Sequence, residues 1–222
     1  MIVALTGFVA GLAHVLSGPD HLAALAPFTV DRPRRALMVG VQWALGHSCG
    51  VILIGLASLL LREIIPVNLI SSYSERLVGI LLIGIGLWGF KKAFATRIHA
   101  HQHTHDGEHH THIHVHKSGH VPNEHPFHLH SHAALGIGTL HGLAGGSHLL
   151  GVLPALALPS RFGAVSYMIA FGVGTLFGIG LFSSALGLFA TRFGGTGGRA
   201  YRHLMCGCAS AAVVIGAAWL VM

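Results

Sequence analysis

A chain of 222 residues that is 52% hydrophobic and only 9% charged, with a mean hydropathy of +0.67, lies far from soluble domains, in which about a quarter of residues are charged. A water-soluble enzyme does not fit these figures, whereas 31 glycines among long uncharged runs suit helices packed closely in lipid. The net charge of +6 does not argue for a nucleic-acid partner, because the 13 basic residues fall between apolar runs and build no single patch.

A hydrocarbon core about 30 Å thick needs roughly 20 apolar residues per helix, and six runs of that kind are read along the chain. The first is Ile2 to Val30, interrupted by Ser17-Gly18-Pro19-Asp20-His21; the second is Ala36 to Leu61; the third extends from about Ser72 to Phe90. A polar insert follows, and then come Ala133 to Leu158, Ala164 to Ala190, and about Tyr201 to Val221. The gaps carry Pro, Arg and Glu, as connecting loops do. The N-terminus lacks the positive start of a cleaved signal peptide and is read as the first membrane segment. The predicted fold is an all-α membrane protein: residues 1–90 hold three helices, residues 91–132 a His-rich loop, and residues 133–222 three more helices.

Cytoplasmic loops are enriched in Lys and Arg. Counted on alternate sides of six spans, ten basic residues fall on one side (Arg32, Arg34 and Arg35; Lys91, Lys92, Arg97 and Lys117; Arg192, Arg199 and Arg202). Three (Arg62, Arg76 and Arg161) fall on the other. This count predicts both termini outside and the His-rich loop in the cytoplasm.

The segment GLAHVLSGPDHLAALAP, Gly11 to Pro27, matches GTLHGLAGGSHLLGVLP, Gly138 to Pro154, at a constant offset of 127, so that His14 and His21 recur as His141 and His148. Gly46 and Gly50 fall opposite Gly174 and Gly178 at an offset of 128. Three helices per half is an odd number, so the halves enter the membrane from opposite sides and the repeat is inverted. Secondary transporters built this way place the substrate site near the midplane, between broken helices. Gly18-Pro19 and Gly145-Gly146 are the predicted breaks, since proline removes a backbone donor and glycine weakens a helix.

Asp20 is the acid nearest a membrane interior, and an ionisable group at that depth is costly unless it faces a cavity or a partner. His21 adjoins it, His14 lies about two turns earlier, and His47 sits in Leu45-Gly46-His47-Ser48 of the second run. Imidazole nitrogen with carboxylate oxygen is a donor set for borderline divalent ions such as Ni, Co, Zn, Mn or Fe(II), and too rich in nitrogen for Mg or Ca. The predicted metal site is therefore His14, Asp20, His21, His47, His141 and His148.

HVLSGPDH in the first run and LGHS in the second resemble the signatures of the nickel/cobalt transporter superfamily, in particular its short, urease-accessory-like members. The family signature is His, four residues and Asp-His, then Leu-Gly-His-Ser in the next helix. Here five residues separate His14 from Asp20, and Gly18-Pro19 stands where many members carry a second Asp. The resemblance implies transport of Ni(II) or Co(II), with His14, Asp20, His21 and His47 in the signature roles.

The insert holds 14 of the chain's 20 histidines, between His99 and His132. With few apolar residues it is expected to be disordered or ordered locally by metal, as a buffer or sensor. Glycine pairs four apart (Gly7/Gly11, Gly46/Gly50, Gly142/Gly146, Gly174/Gly178) are read as close helix contacts, with homo-oligomer contacts as the minority reading. Three cysteines, Cys49, Cys206 and Cys208, give no disulfide framework. They are read as packing, Cys49 being the better of the three as a soft ligand because it shares a helix with His47.

The predicted function is membrane transport of a divalent transition metal as cargo, with no catalytic residue and no resident cofactor. Its partners are the metal, the bilayer and, left open, a cytoplasmic metal-delivery protein. Two alternatives stand beside it: a zinc, manganese or iron transporter of the same architecture, and an electron-transfer protein with haem between His14 or His21 and His141 or His148.

Overall fold

A computed structural model describes residues 1–61, 67–105, 108–117, 129–144, 151, 153–155, 157–194 and 198–221. Its helices are α1 (Ile2–Ser17), α2 (Pro19–Asp31), α3 (Ala36–Leu61), α4 (Val67–Ala95), α5 (Leu129–Ala144), α6 (Arg161–Gly194) and α7 (Gly198–Val221). A 3-10 turn, Pro33–Arg35, joins α2 to α3, and two strands, β1 (Thr96–His105) and β2 (Glu108–Lys117), follow α4.

Among the described residues, four helices are long and apolar enough to cross a bilayer, in α3, α4, α6 and α7, and a fifth span is obtained if the bent pair α1 and α2 counts as one. The chain is thus an integral membrane protein of helices. The predicted break at Gly18-Pro19 is a bend of 71° between α1 and α2. Of the predicted fourth run, the described apolar helix covers Ala133–Ala144, which is shorter than a span. The second predicted break, Gly145-Gly146, lies outside the described residues.

In the insert, expected to be disordered or ordered locally by metal, residues 96–105 and 108–117 pair as an antiparallel two-stranded ribbon. The physical reason is in the sequence: HAHQHTH and HTHIHVH alternate with a period of two, which is a strand signal.

The helices pair at a distance along the chain. α1 packs chiefly on α6, α3 on α5 and α4 on α7. Glycines carry these contacts. A Cβ on Gly11 would run into the carbonyl of Phe171, and one on Gly174 into that of Phe8. In the same way a Cβ on Gly138 or Gly142 would meet the carbonyls of Trp43 or His47, and one on Gly46 or Gly50 those of Leu135 or Thr139. Gly79 and Gly216 face each other across α4 and α7. Small residues at the seams let backbones touch, which is how helices gain packing energy in lipid.

The outward surface is as apolar as the interior: Leu5, Val9, Leu45, Ile52, Leu87 and Leu181 are all exposed. In water such a surface would aggregate; against acyl chains it is solvated. α2 is held to α4 by Phe28 stacked on Trp88, with ring centroids 4.7 Å apart. Lys92 adds an ion pair to Asp31, Nζ to Oδ1 3.1 Å, with its ammonium 5.4 Å from the Trp88 ring.

Candidate metal centre

The break between α1 and α2 builds the site. Gly18 is extended (φ −89°, ψ 96°), and its N–H donates to the carbonyl of His14 at 3.1 Å, closing α1. Pro19 then opens α2, where a missing N–H costs nothing because the first turn has no acceptor for it. Asp20 follows in that first turn, where a carboxylate is favoured by the unsatisfied N–H groups of the helix start. A Cβ on Gly18 would press on Nδ1 of His21 and lie 3.0 Å from Oδ1 of Asp20, so its absence leaves room for both side chains.

Four helix segments then converge on one point. Asp20 and His21 come from α2, His14 from the last turn of α1, His47 from the middle of α3 and His141 from the end of α5. Asp20, His21, His47 and His141 are at most 4% exposed, and His14 is half-buried. His21 donates through Nδ1 to Oδ1 of Asp20 at 3.0 Å, and His141 donates through Nε2 to Oδ2 at 3.1 Å. One carboxylate therefore orients two imidazoles and fixes their tautomers, leaving Nε2 of His21 and Nδ1 of His141 as lone-pair donors.

Among the described residues, two triads have ligand atoms close enough for a single ion. In His14, His21 and His47, and again in Asp20, His21 and His141, these atoms all lie within 4.8 Å of one another. His21 belongs to both. Its ring centroid is 4.7 Å from that of His14, 4.9 Å from His47 and 5.0 Å from His141.

Of the six residues predicted for the site, the structure brings five together; His148 lies outside the described residues. Cys49 is exposed, away from His47, because two residues along a helix turn the side chain about 200° to the opposite face. Cys206 and Cys208 are half-buried against Val30, Ala93 and Met205, a packing role.

Sequence reasoning missed Trp43. It is fully buried, stacks on His47 at 5.0 Å and 10°, and lies 5.4 Å from His141 and 5.9 Å from His21. Its position one turn before His47 was the available signal. Its Nε1 has no hydrogen-bond partner among the described residues. The space beside His47 is a cavity of about 20 Å³ lined by Ser48, Val51, Met168 and Phe171. A cavity of that size holds a water.

The chain is 35% identical over 183 residues to Chloroplast protein FOR GROWTH AND FERTILITY 1 of Arabidopsis thaliana, covering 82% of this chain and 48% of that one. It is 27% identical over 188 residues to urease accessory protein UreH of Bacillus sp. (strain TB-90), covering 82% of this chain and 75% of that one. A protein of Methanocaldococcus jannaschii that carries the name "Putative nickel/cobalt efflux system" is 26% identical over 91 residues, 40% of this chain and 42% of its own. The chain spans about half the length of the chloroplast relatives it matches. No family model and no solved structure matches. These relationships are consistent with the resemblance of the signatures around His14, Asp20, His21 and His47 to the nickel/cobalt transporter superfamily.

Proposed function

We propose that the chain carries a divalent transition-metal ion, nickel or cobalt before zinc, manganese or iron, across the membrane through the His14–Asp20–His21–His47–His141 cluster. The observation that carries this reading is the pair of triads sharing His21 inside an apolar bundle. Several imidazoles at membrane depth are expensive unless they have work to do, and nitrogen donors suit borderline ions. An ion in the His14, His21, His47 triad meets three imidazoles, one of them aimed by Asp20. Passing to Asp20, His21 and His141 needs only that His21 keep hold while the carboxylate exchanges hydrogen bonds for the metal.

The second half of the proposal is architectural. Residues 1–90 and 133–222 form an inverted repeat of six spans, and rocking of one half on the other alternates access. The glycine contacts support it, since they are mirrored: Gly11 on Phe171 corresponds to Gly138 on Trp43, and Gly46 on Leu135 to Gly174 on Phe8. The basic residues Arg32, Arg34 and Arg35 line one cavity of about 680 Å³ with Thr191 and Tyr201. Gathering at one end of the bundle, they favour that end, and with it the His-rich ribbon, as cytoplasmic.

Uptake into proteoliposomes, compared across Ni, Co, Zn, Mn and Fe(II), tests the reading. Nickel or cobalt is expected to lead. Asp20→Asn, which keeps the shape and loses the charge that orients two imidazoles, is expected to weaken apparent metal affinity roughly 10- to 100-fold. Uptake that is indifferent to this change and to His47→Ala overturns the proposal.

A second measurement locates the ion. Ni(II) or Co(II) arriving at His47 sits beside the Trp43 ring, so it should quench tryptophan fluorescence. Trp43→Phe should remove most of that quench and Trp88→Phe should spare it; the reverse pattern would place the ion elsewhere.

A further inference from the structure

Between α2, α3, α4 and α5 lies a crevice of about 700 Å³, walled by Phe28, Val39, Leu81, Ile85, Trp88 and Ile137. Its charged lining is Asp31, Arg32 and Lys92, which stand where α2 and α4 end. On α4 the lining runs from Ile80 to Lys92, which at 1.5 Å per residue is about 18 Å. That is close to the depth of one leaflet, half of a hydrocarbon core about 30 Å thick. Gly84 keeps the crevice wide: it is exposed in the wall, and a Cβ there would meet nothing within 4 Å.

Asp31 and Arg32 also line the neighbouring cavity of about 680 Å³, together with Arg34 and Arg35. Across the two linings, among the described residues, four cations stand against one carboxylate. Asp31 is already engaged, with Lys92 Nζ at 3.1 Å from Oδ1 and Arg32 Nε at 3.9 Å from Oδ2. The excess positive charge suits an anion, and guanidinium suits phosphate in particular, since its fork pairs two oxygens at once. The side chains of Arg32 and Lys92 are each 33% exposed, so a ligand in the crevice can reach them. The bias of basic residues toward one side of a membrane accounts for the charges. It does not account for an apolar slot, one leaflet deep, opening beneath them.

We infer that the crevice is a lipid site: it takes one anionic phospholipid, whose acyl chain lies along α4 between Ile80 and Trp88 and whose phosphate is held by Arg32 and Lys92. The adjoining basic cavity receives the rest of the headgroup. Basic pockets between transmembrane helices recognise anionic headgroups, and a largely apolar pocket with a few polar groups at one edge is the usual form of a site for an amphiphile. A free phosphate ion would use the same cations and none of the slot, whereas a bilayer lipid uses both. The site needs only that the chain lies in a bilayer; it does not depend on transport of metal.

The test uses the full chain in phosphatidylcholine vesicles, into which phosphatidylglycerol or phosphatidylcholine with brominated acyl chains is titrated while tryptophan fluorescence is read. Bromine quenches an indole that it touches. Trp88 lines the crevice, whereas Trp43 is fully buried and Trp219 stands on α7. Brominated phosphatidylglycerol should quench at a lower mole fraction than brominated phosphatidylcholine, and Trp88→Phe should remove that difference. Arg32→Gln should weaken the preference about fivefold, the effect of one cation near an anionic headgroup. Gly84→Leu, which fills the slot while raising helix propensity, should abolish the preference although every cation remains. Inorganic phosphate should relieve the quench no more than chloride at equal ionic strength. Equal quenching by the two lipids, a preference that survives Arg32→Gln or Gly84→Leu, or relief by phosphate itself would overturn the proposal. So would the absence of any quenching of Trp88, since protein would then close the crevice.

Discussion

Liposomes carrying His21→Ala should take up neither nickel nor cobalt above background, a loss deeper than that of His14→Ala or His141→Ala. Each of the latter removes a ligand from one triad, whereas His21 stands in both. The loss should exceed the roughly 10- to 100-fold that follows from disturbing an orienting partner alone, because a donor atom itself is gone. The change also deletes one of the two hydrogen bonds that Asp20 accepts, leaving His141 at 3.1 Å as the other. Thermal unfolding in detergent separates this cost in stability from the cost in transport. Should His21→Ala transport no worse than His141→Ala, the ion does not use His21 as a common ligand.

The second large effect belongs to the α3–α5 seam. Gly142→Ala should destabilise the protein, whereas Gly136→Ala, six residues earlier on α5, should leave it as stable or slightly more so. A Cβ at Gly142 would strike the backbone carbonyl of His47, while one at Gly136 meets nothing within 4 Å. Overpacking a close seam costs about 1–3 kcal/mol, and a main-chain carbonyl cannot swing aside as a flexible side chain can. At Gly136 only the gain in helix propensity, up to about 1 kcal/mol, remains. Because Gly142 adjoins His141 and presses on His47, its replacement should also slow metal uptake, which Gly136→Ala should not do. Equal melting temperatures for the two variants would rule out the seam as described.

Much of the site was legible because its chemistry is expensive. A carboxylate and histidines inside apolar runs stand out against leucine and glycine, and the repeat carried the reading from His14 to His141. The break at Gly18-Pro19 followed from backbone chemistry alone. What the sequence hid was facing. On α1 the large residues Leu5 and Val9 point outward while Gly7, Gly11 and Val15 are buried. Lipid thus reverses the rule by which large apolar residues mark an interior. For the same reason Trp43 read as one more apolar residue of α3, although it packs against three of the imidazoles. Cys49 was judged by its nearness in sequence to His47, a poor guide on a helix where two residues mean opposite sides. In the insert, the alternation of histidines with a period of two is a statement about backbone as well as about chemistry.

The pairing of α1 with α6, α3 with α5 and α4 with α7 bears on how the protein is made. None of α1, α3 and α4 meets its main partner until a long stretch of later chain has been synthesised, and 143 residues separate the end of α1 from the start of α6. Leaving the ribosome, the early helices enter the bilayer with their glycine seams open, and lipid tails must line those grooves until the late helices displace them. Assembly is then an exchange of greasy neighbours within the membrane, and the clustered side chains of α1, α2 and α3 stay apart from His141 of α5 until the exchange is complete.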